Sequence, residues 1–124
     1  MQAPGMSEDE LSLIKSYLLL LFIQKVFERD FRIITESGVF KTPQLYSELL
    51  FNAARQTSIL FAEVKREITK RNMKIIDVHQ KESGVEAKYS CRGYVGDFCI
   101  LWPAFRNEML IRMRAYLGLN APAE

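Results

Sequence analysis

The stretch VEAKYSCR, Val85 to Arg92, decides how the chain is read. Val85, Ala87, Tyr89 and Cys91 alternate with Glu86, Lys88, Ser90 and Arg92. A two-residue period puts successive side chains on opposite faces, so the segment is a strand with one covered face and one wet face. Met73 to His79 (MKIIDVH) reads as the strand before it and Phe98 to Trp102 (FCILW) as the strand after. Lys81 to Gly84 and Gly93 to Gly96 supply the turns of a three-stranded antiparallel meander. Pairing Arg92 with Asp97 across GYVG places Cys91 opposite Phe98 and turns Cys99 to the other face, so the two cysteines are expected to stay unbridged, as small core hydrophobes.

Working back toward the N-terminus, the period lengthens. Ser7 stands as an N-cap with Glu10 three residues on, a capping box, while Glu8 and Asp9 complement the positive helix end. Neither Gly nor Pro interrupts the chain until Ser37-Gly38, so a long first helix is predicted. Leu11, Ile14, Leu18, Leu21 and Phe22 share one face of it, but Leu19, Leu20, Ile23, Val26 and Phe27 spread around the remaining sides. A helix apolar around its circumference must be covered on more than one side. Self-association is the expected cover, giving a homodimer with Leu18, Leu19, Phe22, Ile23, Val26 and Phe27 at the interface; burial within one subunit is the competing reading.

Thr42-Pro43 starts the next helix, with Leu45, Leu49 and Leu50 as its apolar face. The small and polar run Asn52 to Thr57 (NAARQT) reads as a short turn, although one unbroken helix to Asn72 fits the absence of Gly and Pro equally. With the turn, a third helix carries Leu60, Phe61, Val64 and Ile68 on its buried stripe and Arg66 and Lys70 opposite. Pro103 opens a last helix with Phe105, Met109, Met113 and Tyr116 on one face, and Gly118 closes it. The fold class is therefore α+β, helices followed by a meander and a C-terminal helix. Residues 7–118 form a single domain, with residues 1–6 expected to be disordered and residues 119–124 a flexible tail.

Two short helices with a turn between them, the second leading into a β-hairpin, form a chain order that resembles the winged-helix proteins, whose flanking helices often make a dimer. The resemblance lies in element order and not in a signature motif. It implies a recognition helix from about Thr57 to Asn72, a wing tip at Gln80 to Gly84 (QKESG), and double-stranded DNA as partner, contacted through Gln56, Ser58, Lys65, Arg66, Lys70 and Lys81.

Charge supports that implication in part. The chain holds 17 basic and 15 acidic residues, a balance of +2 in 124 residues. Residues 1–51 hold 5 basic and 7 acidic side chains, leaving 12 and 8 for the remainder, so an anionic partner is expected at the second half. Lys65 to Lys74 (KREITKRNMK) concentrates five basic residues against one acidic, which suits phosphate neutralisation and equally a solvated helix end. Glu63, Glu67 and Glu82 lie among the supposed contacts.

Chemistry is weakly signalled. Asp77 with Glu86-Ala87-Lys88 matches the carboxylate and Glu-x-Lys arrangement of metal-dependent nucleases, with Glu86 and Lys88 on one strand face. The same residues are what a solvated strand face looks like, and the chain ends too soon after its last helix for the nuclease order. His79 is the single histidine, which rules out a two-histidine metal site, and GYVG lacks the Lys-Ser/Thr of a phosphate loop. Tyr89, Tyr94, Phe98 and Trp102 are able to stack on bases but suit core packing better. No catalytic residue, metal or cofactor is expected.

Two cysteines make no disulfide scaffold and no signal-peptide core is visible, so a cytoplasmic setting is expected. The longest apolar run, Tyr17 to Ile23, has seven residues, against the roughly 20 of a membrane span. The expected function is a small DNA-binding regulator acting as a homodimer, with a protein-interaction adaptor as the alternative and a nuclease-like domain as the lesser one.

Overall fold

The computed structural model describes residues 6–119. Its elements run α1 (Glu8–Ser37), α2 (Pro43–Lys70), β1 (Met73–Gln80), β2 (Gly84–Cys91), β3 (Tyr94–Leu101) and α3 (Trp102–Tyr116). The α+β layout of helices, meander and closing helix is the one the sequence implies. The disorder expected for residues 1–5 and 120–124 lies outside the described residues; Met6 packs partly buried against the core.

α1 starts where its capping box says it should. The Ser7 backbone N–H donates to Glu10 Oε1 at 3.0 Å and the Glu10 N–H donates to Ser7 Oγ at 3.2 Å. It stops at Gly38, whose φ of 70° is the left-handed conformation that closes a helix at little cost to glycine. Between these ends lies the main correction to the sequence reading. Leu18, Leu19, Ile23 and Phe27 are fully buried within a single chain, and Phe22 and Val26 are half-buried. The cover is supplied from inside, by α2 on one side and by the sheet and α3 on others. The first four have no surface left to offer a second copy.

α2 is one unbroken helix of 28 residues, so the turn expected at Asn52 to Thr57 is absent, and with it the helix-turn-helix of the winged-helix order. The small residues of that stretch are there for packing. Ala53 and Thr57 are buried on the face toward α1, and the Thr57 hydroxyl donates to the Ala53 carbonyl at 2.8 Å, which satisfies it without solvent. Short side chains bring the two long helices close. They run antiparallel, with Tyr17 edge-on to Phe61 at 5.1 Å, Gln24 bonded to Ser58 and Phe31 beside Phe51 at 6.3 Å. The face also differs at the start of α2, where Leu45 and Leu49 are exposed and Leu50 packs inward.

In the sheet, β2 lies between β1 and β3. Central position explains why Val85, Ala87, Tyr89 and Cys91 are all fully buried, the inward face predicted from alternation. The β2–β3 register differs from expectation: Cys91 faces Tyr94, Ala87 faces Phe98 and Lys88 faces Asp97. Arg92 and Gly93, with φ of 49° and 87°, form a two-residue turn of the mirror-image type that matches strand twist, so the hairpin closes earlier than an Arg92–Asp97 pairing would allow. Cys99 still points to the open face, where it is exposed and not the core hydrophobe expected, whereas Cys91 is buried; neither thiol is in a disulfide. Trp102 opens α3 instead of ending the strand, and its indole N–H donates to the Lys81 carbonyl at 2.8 Å.

One contact ties the layers together and another fixes the spacing within the sheet. Glu10, 6% exposed at its side chain, receives both terminal nitrogens of Arg92 at 2.6 and 3.2 Å, tying the start of α1 to the β2–β3 turn. The charge-assisted bonds from Arg92, with the Ser7 N–H, lower the Glu10 pKa to about 2. Gly84 sits opposite Leu101, and a Cβ there would collide with the Ile100 carbonyl oxygen, with Leu101 Cα 2.9 Å away. Both are backbone atoms that cannot swing aside. Gly84→Ala is expected to lose about 1–2 kcal/mol by overpacking, read as a lower urea midpoint at unchanged slope.

Among the described residues, no helix is long and apolar enough to cross a membrane.

Candidate functional site

The feature that stands out on the helical layer is a groove between α1 and α2, about 860 Å³ in volume. On α1, Lys25, Arg29 and Arg32 follow one another at spacings of four and three, so they form one strip. Phe31 lies beside them, and α2 brings Phe51, Ala54, Arg55 and Ser58 to the opposite wall. Phe51 is 56% exposed although its ring packs on Phe31, and Ala54 leaves room between the helices. The hydrogen bond from Gln24 Nε2 to Ser58 Oγ, 2.9 Å long, pins the helices together beside it. The lining carries four cations against one carboxylate, Glu28, and none of the five makes an ion pair among the described residues.

This site was missed by sequence reasoning. Three of its four cations belong to the half of the chain whose net charge is negative, so a count by halves looked away from it. The available signal was local: Lys25, Arg29 and Arg32 on one helical strip.

The six residues expected to contact DNA are not one surface. Gln56, Arg66 and Lys70 share the outer arc of α2, but Glu63 and Glu67 stand among them, and Glu67 pairs with Arg71 at 3.1 Å. Ser58 lines the groove, and Lys65 lies on the same flank with its ammonium 4.3 Å from the Phe61 ring centre. Lys81 is at the β1–β2 turn, held by Glu86 at 2.8 Å, which raises the lysine pKa and lowers that of the carboxylate.

Asp77, Glu86 and Lys88 all lie on the open face of the sheet. Asp77 faces Lys88 across the β1–β2 ladder and Glu86 faces His79, so the two carboxylates are offset along their strands instead of converging. Asp77 Oδ2 lies 3.0 Å from His79 Nε2, and Glu86 is occupied by Lys81. No group of three or more His, Cys, Asp or Glu able to hold a metal ion occurs among the described residues. Tyr89 is fully buried and Phe98 and Trp102 are partly buried against the core, as core packing requires, but Tyr94, beside the β2–β3 turn, is exposed.

A second exposed surface lies at the connection between α1 and α2. Val39, Phe40, Leu45, Tyr46 and Leu49 are all exposed there, and the Phe40 and Tyr46 rings pack at 5.6 Å.

The family model described as YhjD protein matches residues 5–121, nearly the whole chain, and the chain belongs to that family. No curated protein and no solved structure matches it.

Proposed function

We propose that this YhjD-family chain is a non-catalytic regulatory adaptor that holds an anionic partner in the groove between α1 and α2. The observation that carries the reading is the set of Lys25, Arg29, Arg32 and Arg55 around Phe31, Phe51 and Ala54, with no ion pair to any of the four among the described residues. An apolar floor beneath the charges strengthens their contacts with an anionic partner by excluding water as it is covered.

Binding of double-stranded DNA is the second reading, supported by Gln56, Arg66 and Lys70 on one exposed arc of α2 directly before the hairpin. The two readings are separated by charge reversal. Fluorescent poly-glutamate is expected to bind at low salt, to weaken about tenfold or more in Arg29→Glu/Arg32→Glu and to be unaffected by Arg66→Glu/Lys70→Glu, with anisotropy as the readout. A mixed duplex whose affinity falls log-linearly with salt and disappears in Arg66→Glu/Lys70→Glu would transfer the function to DNA. No binding of either probe at low salt overturns both.

Self-association, and with it the homodimer, is assigned to the connection between α1 and α2, where the five apolar side chains Val39, Phe40, Leu45, Tyr46 and Leu49 are all exposed. The mass measured by light scattering is expected to rise with concentration toward a dimer, and Leu45→Glu/Leu49→Glu to hold it at the monomer value.

A further inference from the structure

The groove has two charged lips and an apolar floor, and that combination narrows what fills it. We infer that its occupant is an amphipathic α-helix of a partner protein, apolar along one ridge and acidic along both flanks of that ridge. The inference rests on the adaptor reading above. Lys25, Arg29 and Arg32, with the single carboxylate Glu28 among them, line the α1 lip and Arg55 the α2 lip, with Phe31, Phe51 and Ala54 between them. A ligand must therefore carry carboxylates on two sides of an apolar strip. Arg32 lies seven residues after Lys25 on the helix, roughly 10 Å or two turns.

Other anionic ligands match fewer of these features. A fatty acid carries one charge against four cations. A nucleic-acid backbone carries enough charge but offers nothing apolar to Phe51, which would stay 56% exposed or lie against phosphate. A helix about 10 Å across, laid along the trough of two antiparallel helices, completes a three-helix layer and places residues at spacings of three and four over the floor. Glu and Asp flanking that ridge then meet the lips.

The test uses the whole chain and a fluorescein-labelled, blocked 16-residue peptide with leucines at helical spacing flanked by glutamates. Its controls are a version with central prolines, one with Glu replaced by Gln, and oleate. Anisotropy measures affinity, and amide chemical shifts of the isotope-labelled protein locate the contact. Binding of the intact peptide is expected to shift amides around Phe31 and Phe51. It is expected to weaken at least tenfold in Arg29→Glu/Arg32→Glu, in Phe51→Ala and in the proline version. Because these three side chains are exposed or half-exposed, the variants should fold, and amide spectra of the free proteins check that they do. Equal binding of intact and proline-broken peptides overturns the helix and leaves the anionic groove standing. Oleate shifting the groove while no peptide binds assigns it to a small amphiphile instead. No shift around the groove from any peptide, from oleate or from poly-glutamate removes the helix and the adaptor reading together.

Discussion

Phe105→Ala is expected to lower stability by about 4 kcal/mol and to release α3 from the rest of the chain. Phe105 is the one fully buried residue of that helix, with no measurable exposure. Its ring stands edge-on to Phe22 at 5.1 Å and to Trp102 at 5.9 Å. Removing it deletes the transfer energy of an aromatic ring and leaves a cavity between α1 and α3 that partly buried neighbours cannot refill. The polar contacts outside it, Lys15 with Glu108 at 2.8 Å and Arg112 with Ser16 at 3.0 Å, are half-exposed and too weak to hold the helix alone. The sequence has a single tryptophan, Trp102, so its emission reports on this packing directly. Urea titrations followed by that emission should show the loss, and Phe105→Leu should recover more than half of it. A change below about 1 kcal/mol would mean that α3 is held by something else.

Glu10→Ala should cost about 3 kcal/mol. The side chain both accepts the Arg92 pair and closes the capping box with Ser7, so one substitution removes an ion pair between layers and a helix cap. Half-exposure of Arg92 keeps the loss at the low end for a buried pair, because water screens the partner left behind. The acid dependence isolates the charge. A carboxyl whose folded pKa lies near 2, against an ordinary 4.5, contributes stability that is complete above about pH 4.5 and drains as pH falls toward 2. Glu10→Gln keeps the capping geometry but not the charge, so its deficit of about 2 kcal/mol at neutral pH should shrink almost to nothing near pH 2. A deficit that stays constant with pH would assign the effect to packing.

How much of this was legible in the sequence divides along a physical line. Features governed by the next few residues were readable: the Ser7 and Glu10 cap, the Gly38 stop and the alternation of Val85 to Arg92 that fixes the inner face of β2. Features governed by a distant partner were not. Ala53 and Thr57 look like a turn because small and polar residues usually mark one, whereas here they are small because α1 lies against them. Leu18, Leu19, Ile23 and Phe27 look like an interface because a lone helix so apolar needs a partner, and the partner is the chain itself. The groove was hidden for the same reason. Arg55 is 23 residues from Arg32 in sequence, and only the antiparallel pairing of α1 and α2 makes them neighbours.

A three-stranded sheet in the order β1-β2-β3 leaves two strands with an unshared edge, and the two are differently defended. β1 is interrupted between Ile75 and Asp77, where the ladder slips by a residue, and a kinked strand is a poor template for a straight one. β3 pairs without a break from Tyr94 to Leu101, and its outward row includes Val95 and Leu101, both well exposed. Asp97 and its cross-strand neighbour Lys88 are what interrupt that row with charge. The colloidal fate of concentrated protein therefore rests on β3: filament growth, should it occur, would be seeded along this margin, with Asp97 as its gatekeeper.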